Sequence, residues 1–181
     1  MSIAIYTGIG ARATPPDVLA LMTAIARHLA AAGVVLRSGG SPGADAAFEA
    51  GCGDGPKEIY LPWPGFNGNP SPLALDDALA ARIARHDAWR VLRDALARET
   101  PPTDLDALPD ETRRLYARDV PQILGRDLAT PSDLVLCWTP LGVPPEGTRI
   151  ALYLARHYSV PVANLNDSTV RDEWWRRVAT P

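Results

Sequence analysis

Cysteine is scarce in this chain: Cys52 and Cys137 are the only two in 181 residues, far apart and outside any CxxC or His-Cys grouping. That excludes a disulfide framework and a cysteine-based zinc site, and no metal is expected. Lysine is rarer still, Lys57 being the only one, so the basic residues are almost all arginine, a bias to which genome composition contributes as readily as phosphate recognition. With a formal net charge of -3 there is no general basic field, and any nucleic-acid role has to rest on a local patch. Long apolar runs are missing too. The stretch Ile3 to Tyr6 meets glycine almost at once, so neither a signal peptide nor a membrane span is expected, and the protein is expected in the cytoplasm without a membrane partner. The three histidines, His28, His86 and His157, have no acid or nucleophile at a suggestive spacing, so no Ser-His or Cys-His catalytic arrangement is in view.

What is present suffices for a substantial core: 46% of the residues are hydrophobic, and the length suits one domain over residues 1–181. The pattern alternates short apolar runs with helical periodicity. Ile3 to Tyr6 reads as a strand, followed by a loop Thr7 to Thr14 and a helix from about Pro15 to Ala32, with Val18, Leu21, Met22, Ile25 and Leu29 on one face and Gly33 as the stop. The same unit repeats as Val34 to Leu36, the loop beginning at Ser38, and a helix Ala44 to Ala50. Further strands are expected at Glu58 to Trp63, Leu134 to Trp138 and Val160 to Leu165. Helices are expected at Leu73 to Arg98, from about Glu111, from Gly147 to His157 and over Val170 to Val178. The helical stretch at about 71–128 reads as an insertion. Continuously apolar strands separated by helices predict an α/β, Rossmann-like three-layer αβα fold around a mostly parallel sheet, whose ligands bind at the carboxyl ends of the strands.

Three glycine-bearing loops precede helices: Thr7 to Thr14, Ser38 to Asp45, and Thr139 to Thr148. Glycine lets backbone amides approach an anion, and a helix N-terminus adds unpaired donors and a favourable dipole, so phosphate is the expected guest. A glycine in a tight βα turn needs no ligand to explain it; three such loops on one rim favour the ligand. The candidate binding residues are Gly8, Gly10, Arg12, Ser38, Gly39, Gly40, Gly43, Ala44, Asp45, Trp63, Arg118, Thr139, Gly147 and Thr148. Asp45 also suits a helix cap. Arg113, Arg114, Arg118 and Arg126 flank Tyr116, an interleaving that suits a base and a phosphate as well as a solvated helix face. Trp63, Phe66 and Trp138 stand at strand ends, placed to stack on a base or to cap the core.

Thr7-Gly8-Ile9-Gly10-Ala11-Arg12 and Ser38-Gly39-Gly40-Ser41-Pro42-Gly43-Ala44-Asp45 resemble the SLOG superfamily, specifically its DprA/Smf-like branch. Tyr116 to Gly125 is similar to the arginine-asparagine segment of that branch, and Glu146-Gly147-Thr148 to its second glycine-rich turn, so the likeness runs from about Ile3 to Leu165. The resemblance implies a Rossmann-like fold that binds nucleotides, nucleotide-derived and cyclic signals, or single-stranded DNA, in a group where small phage and bacterial members of undefined role are frequent and homo-oligomers are common. Asp119 departs from the asparagine expected beside Arg118, and Glu146 stands where the related phosphoribohydrolase branch carries glycine. That branch has a catalytic glutamate soon after its Gly-Thr; here Arg149, Ile150 and Ala151 follow. The leading expectation is therefore binding of a nucleotide or nucleotide-derived phosphate ligand with no separate cofactor. The alternatives are an N-glycosidic hydrolase of nucleotides using Glu146, Asp45 or Asp119, and a DprA-like single-strand DNA binder using Arg114, Arg118 and Arg126. A full recombination mediator with a further domain is not expected.

Overall fold

The computed structural model describes residues 3–144 and 146–179, and the side chain of Glu146 lies outside the described part. The described strands are β1 (Ile5–Gly10), β2 (Val35–Ser38), β3 (Lys57–Ile59), β4 (Leu134–Trp138) and β5 (Val162–Asn164). The helices are α1 (Pro16–Ala31), α2 (Ala44–Cys52), α3 (Asp77–Arg85), α4 (Asp87–Ala97), α5 (Asp110–Leu124), α6 (Glu146–His157) and α7 (Ser168–Val178). The five strands form one all-parallel sheet in the order β3-β2-β1-β4-β5, the Rossmann-like arrangement expected.

Alternation along each strand sends side chains to two helical layers, because successive Cβ atoms point to opposite faces. Tyr6, Leu36 and Leu136 face α1, α2 and α7, where they pack with Phe48, Met22, Ile25 and Trp174. Ile9, Val135 and Cys137 face α3 to α6, among Ile83, Leu92, Val120, Ile123 and Leu154. The helical stretch between β3 and β4 thus supplies much of the second layer. Thr7 anchors α5 to the sheet: its hydroxyl lies 2.7 Å from the Gln122 carbonyl oxygen and 2.8 Å from the Ser132 hydroxyl.

Several boundaries differ from those read in the sequence, each for a local reason. β1 does not stop at Tyr6 but continues through Gly10, because Thr7 to Gly10 pair with Val135 to Trp138 of β4. The absent side chain of Gly8 makes room for the Phe48 ring, which a Cβ there would meet at 2.6 Å. β3 ends at Ile59 instead of Trp63, with Leu61 left in an isolated bridge to Ala74 and Pro62 without an N–H to continue the ladder. β5 is likewise short, beginning after Pro161. The single helix expected over Leu73 to Arg98 is two. His86 takes extended dihedrals (φ -81°, ψ 152°) and its ring nitrogen accepts from the Ala88 amide, so it ends α3 and caps α4. Among the described residues no helix is long and apolar enough to cross a membrane.

Candidate ligand cleft at the carboxyl edge of the sheet

Sequence order runs outward from β1 through β2 to β3 and then returns to β4 on the other side of β1, so the crossovers diverge between β1 and β4. In open parallel sheets this divergence leaves a crevice at the strands' carboxyl ends. A cleft of about 490 Å³ opens there. Its walls come from the end of β1 (Ile9, Gly10, Ala11, Arg12), the β2–α2 loop (Ser41, Asp45), α5 (Leu115, Tyr116, Arg118, Asp119, Gln122) and the start of α6 (Gly147, Thr148, Ala151). A smaller hollow of about 280 Å³ lies between α3, α4 and α5, where the charged side chains pair among themselves, Arg93 with Asp106 and Arg113 and Arg114 with Asp110.

Of the candidate residues from the sequence, Gly10, Arg12, Asp45, Arg118, Gly147 and Thr148 line the cleft. The others lie outside its lining. Ser38 donates to the Gly8 carbonyl at 2.7 Å, and Thr139 accepts from the Asn164 side-chain amide at 2.7 Å. The glycines of the β2–α2 loop admit protein: a Cβ at Gly39 would overlap the Arg118 guanidinium, one at Gly40 would press on Leu61, and one at Gly43 on the backbone of Arg12. Ala44 is buried in the α1–α2 core. Trp63 packs edge-on against Phe66, their centroids 5.1 Å apart, outside the cleft lining, and Trp138 belongs to the α1, α2 and α7 side.

The arginine cluster around Tyr116 does not assemble as one patch. Arg126 pairs with Asp76 at 2.8 Å, while Arg114 reaches Asp110 and Asp77. Helical periodicity turns only Arg118 inward, where it is 6% exposed and its Cζ lies 5.9 Å from the centre of the Phe66 ring.

At the floor of the cleft Arg118 joins Gly39, Asp45 and Asp119, besides the Leu115 carbonyl of its own helix. Its Nη1 donates to the Gly39 carbonyl and stands 3.7 Å from Asp45 Oδ2, and its Nε lies 3.0 Å from Asp119 Oδ1. Gln122 Nε2 donates to the same Asp119 oxygen at 3.0 Å. Asp45 turns back into its own loop, accepting from the Ser41 amide at 3.3 Å. The amide of Ser41, expected to face an anion, is therefore already met by an internal carboxylate, although Asp45 does not cap α2, whose N-cap is Gly43 without a side-chain hydrogen bond.

Two buried carboxylates around one guanidinium do not balance. Burial pushes the Asp45 carboxyl up to about 6, against the pull of Arg118 and the Ser41, Gly39 and Gly10 amides. Burial also pushes Asp119 up to about 7; Arg118 and Gln122 draw it down while Asp45 drives it further up. Asp119 was missed as a binding candidate because only the tertiary contact with Asp45 and Gln122 gives it this environment; its departure from the expected asparagine was the available signal. Opposite this floor, Arg12 is exposed and enters no ion pair among the described residues, and α6 presents its first turn, with open space around Gly147. No group of metal-ligating side chains occurs among the described residues.

No family model and no curated protein matches the chain. Two solved structures share its fold. The molybdenum cofactor carrier protein of Chlamydomonas reinhardtii is 14% identical, with a TM-score of 0.50 over 98% of this chain and 86% of that one. DNA processing protein A of Helicobacter pylori, described for its single-stranded DNA binding mode, is 20% identical, with a TM-score of 0.54 over 96% of this chain and 71% of that one. At these identities the likeness is one of fold.

Proposed function

We propose that this protein binds a nucleotide or nucleotide-derived phosphate ligand in the cleft between β1 and β4, as a SLOG protein of the DprA-like branch. The observation that carries the reading is the meeting of Arg12, which enters no ion pair among the described residues, the first turn of α6 and a polar buried floor in one cleft at the point where the crossovers diverge. Its volume falls in the range of small-molecule sites. The phosphate is assigned to Arg12, Gly147 and Thr148, and not to the amide of Ser41, which Asp45 occupies. The same reading takes residues 1–181 as one cytoplasmic domain acting as a homo-oligomer. That the fold neighbours bind a cofactor in one case and single-stranded DNA in the other is compatible with it.

Thermal unfolding against a panel of mono-, di- and cyclic nucleotides tests this. A ligand at a hundred times its dissociation constant stabilises by about 2.7 kcal/mol. Absence of any shift across the panel rejects the reading.

A second reading, N-glycosidic hydrolysis, is favoured by the two raised carboxylates, Asp45 and Asp119, on the cleft wall. Release of free base from a nucleotide is its test. The DNA-binding reading loses support from the placement of Arg114 and Arg126, whose charges are spent on Asp110, Asp77 and Asp76.

A further inference from the structure

The floor of the cleft contains one polar atom that the described residues leave unmet. Asp119 is 2% exposed, and both of its neighbours, Arg118 Nε and Gln122 Nε2, converge on Oδ1, each at 3.0 Å. Its other oxygen, Oδ2, is buried without a hydrogen-bond partner, although the residue lines the cleft. Nearby polar groups on the sheet side of α5 are met: Thr7 with Gln122 and Ser132, Arg118 with Gly39. A buried carboxylate oxygen left open costs free energy that a ligand donor recovers.

The nature of that donor follows from charge and position. Asp45 and Asp119 face each other across Arg118, so the floor repels an anion, whereas Arg12 and the start of α6 attract one. A phosphate held there leaves the floor to an uncharged group, and in a nucleotide the group next to the phosphate is the sugar. We propose that Asp119 selects the ligand by accepting a hydrogen bond at Oδ2 from a ribose hydroxyl, making the site one for ribonucleotides over deoxyribonucleotides. This inference rests on the nucleotide-binding reading and narrows it.

The charged groups facing Asp119 among the described residues are Arg118 on its own helix and Asp45 from α2, and Gln122 is its polar neighbour. Asp119→Asn exchanges the unmet buried acceptor for a donor. The asparagine oxygen has to stay toward Arg118 and Gln122, which both donate, so its amide NH2 faces the ligand.

Calorimetric titration of AMP, IMP, GMP, CMP and UMP, each beside its 2′-deoxy and 3′-deoxy counterpart, tests the assignment on the unmodified protein, on Asp119→Asn and on Asp119→Leu. The expected result is that removing one of the two hydroxyls weakens binding of the preferred nucleotide tenfold or more in the unmodified protein. Asp119→Leu, which offers neither acceptor nor donor, binds ribo and deoxy forms equally, whereas the NH2 of Asp119→Asn still donates to a hydroxyl oxygen. Ribo and deoxy forms binding the unmodified protein within twofold of each other overturn the inference while leaving nucleotide binding in place. A ribose preference that persists in a folded Asp119→Leu overturns it as well. Binding that follows the base amino group, strong for AMP and weak for IMP with no hydroxyl dependence, assigns Oδ2 to the base and overturns the sugar. If no nucleotide binds, both the reading and the inference fall. Should the variant not fold, the comparison on the unmodified protein decides alone.

Discussion

Arg118 on α5 donates a hydrogen bond to the carbonyl of Gly39, 79 residues earlier in the β2–α2 loop, and through it ties two crossovers together at the floor of the cleft. The contact exists because Gly39 has no Cβ: any side chain there would occupy the space of the guanidinium.

Arg118→Met keeps the length of the side chain and removes its charge. Asp45 and Asp119 then remain buried without a counter-ion, and the Gly39 carbonyl loses its donor. Breaking a buried pair from one side destabilises by about 3–5 kcal/mol. Urea denaturation at pH 8 reads this loss, and Asp45→Asn combined with Arg118→Met restores part of it, because one unpaired charge is gone.

The same carboxylates set a pH dependence whose sign is opposite to the usual one. Their folded pKa values, about 6 for Asp45 and about 7 for Asp119, lie above the ordinary carboxylate value of 3.8. Between these limits the folded state holds protons that the unfolded chain has released, so stability from this pair falls as pH rises from about 4 to 7 and is then level. The two groups face each other, so the steps belong to the pair. Asp119→Asn is expected to flatten this slope and to leave the protein relatively more stable at pH 8 than at pH 5, as read from denaturation midpoints. A slope unchanged by the substitution contradicts the assignment.

Arg12→Ala separates binding from folding. The side chain is exposed and in no ion pair among the described residues, so unfolding midpoints are expected to shift by no more than about 0.5 kcal/mol equivalent. Nucleotide affinity is expected to drop about tenfold and to lose part of its salt dependence, measured by titration at two ionic strengths. An unchanged affinity would remove Arg12 from the phosphate site.

Gly8→Ala probes the packing behind the cleft. The new methyl would stand 2.6 Å from the Phe48 ring, inside van der Waals contact, and the expected cost is about 1–3 kcal/mol by chemical denaturation. Combining it with Phe48→Leu relieves the clash and recovers part of that loss.

Leu92→Ala opens the layer formed by the helices between β3 and β4. Leu92 is fully buried among Ile83, Leu96 and Leu154, and its truncation is expected to cost about 2–5 kcal/mol. A much smaller effect would mean that α4 detaches without disturbing the sheet.

Periodicity alone determined the α/β order, the parallel sheet and the edge on which the cleft lies. Strand and helix periods depend on residues near one another in sequence, and a parallel sheet puts its βα loops on one side. The glycines of the loops were legible as sites of close approach, but what approaches was not. At Gly8 it is Phe48, and at Gly39 it is Arg118. Nor did the spacing of Arg114, Arg118 and Arg126 say that one would be buried while the others pair with Asp110, Asp77 and Asp76. Only the tertiary structure decided that Asp45 meets its own loop and that Asp119 holds one buried oxygen without a partner among the described residues. Those two outcomes depend on how α2 and α5, distant in sequence, meet across the end of β1, where burial strengthens every charge and removes the water that would otherwise satisfy it.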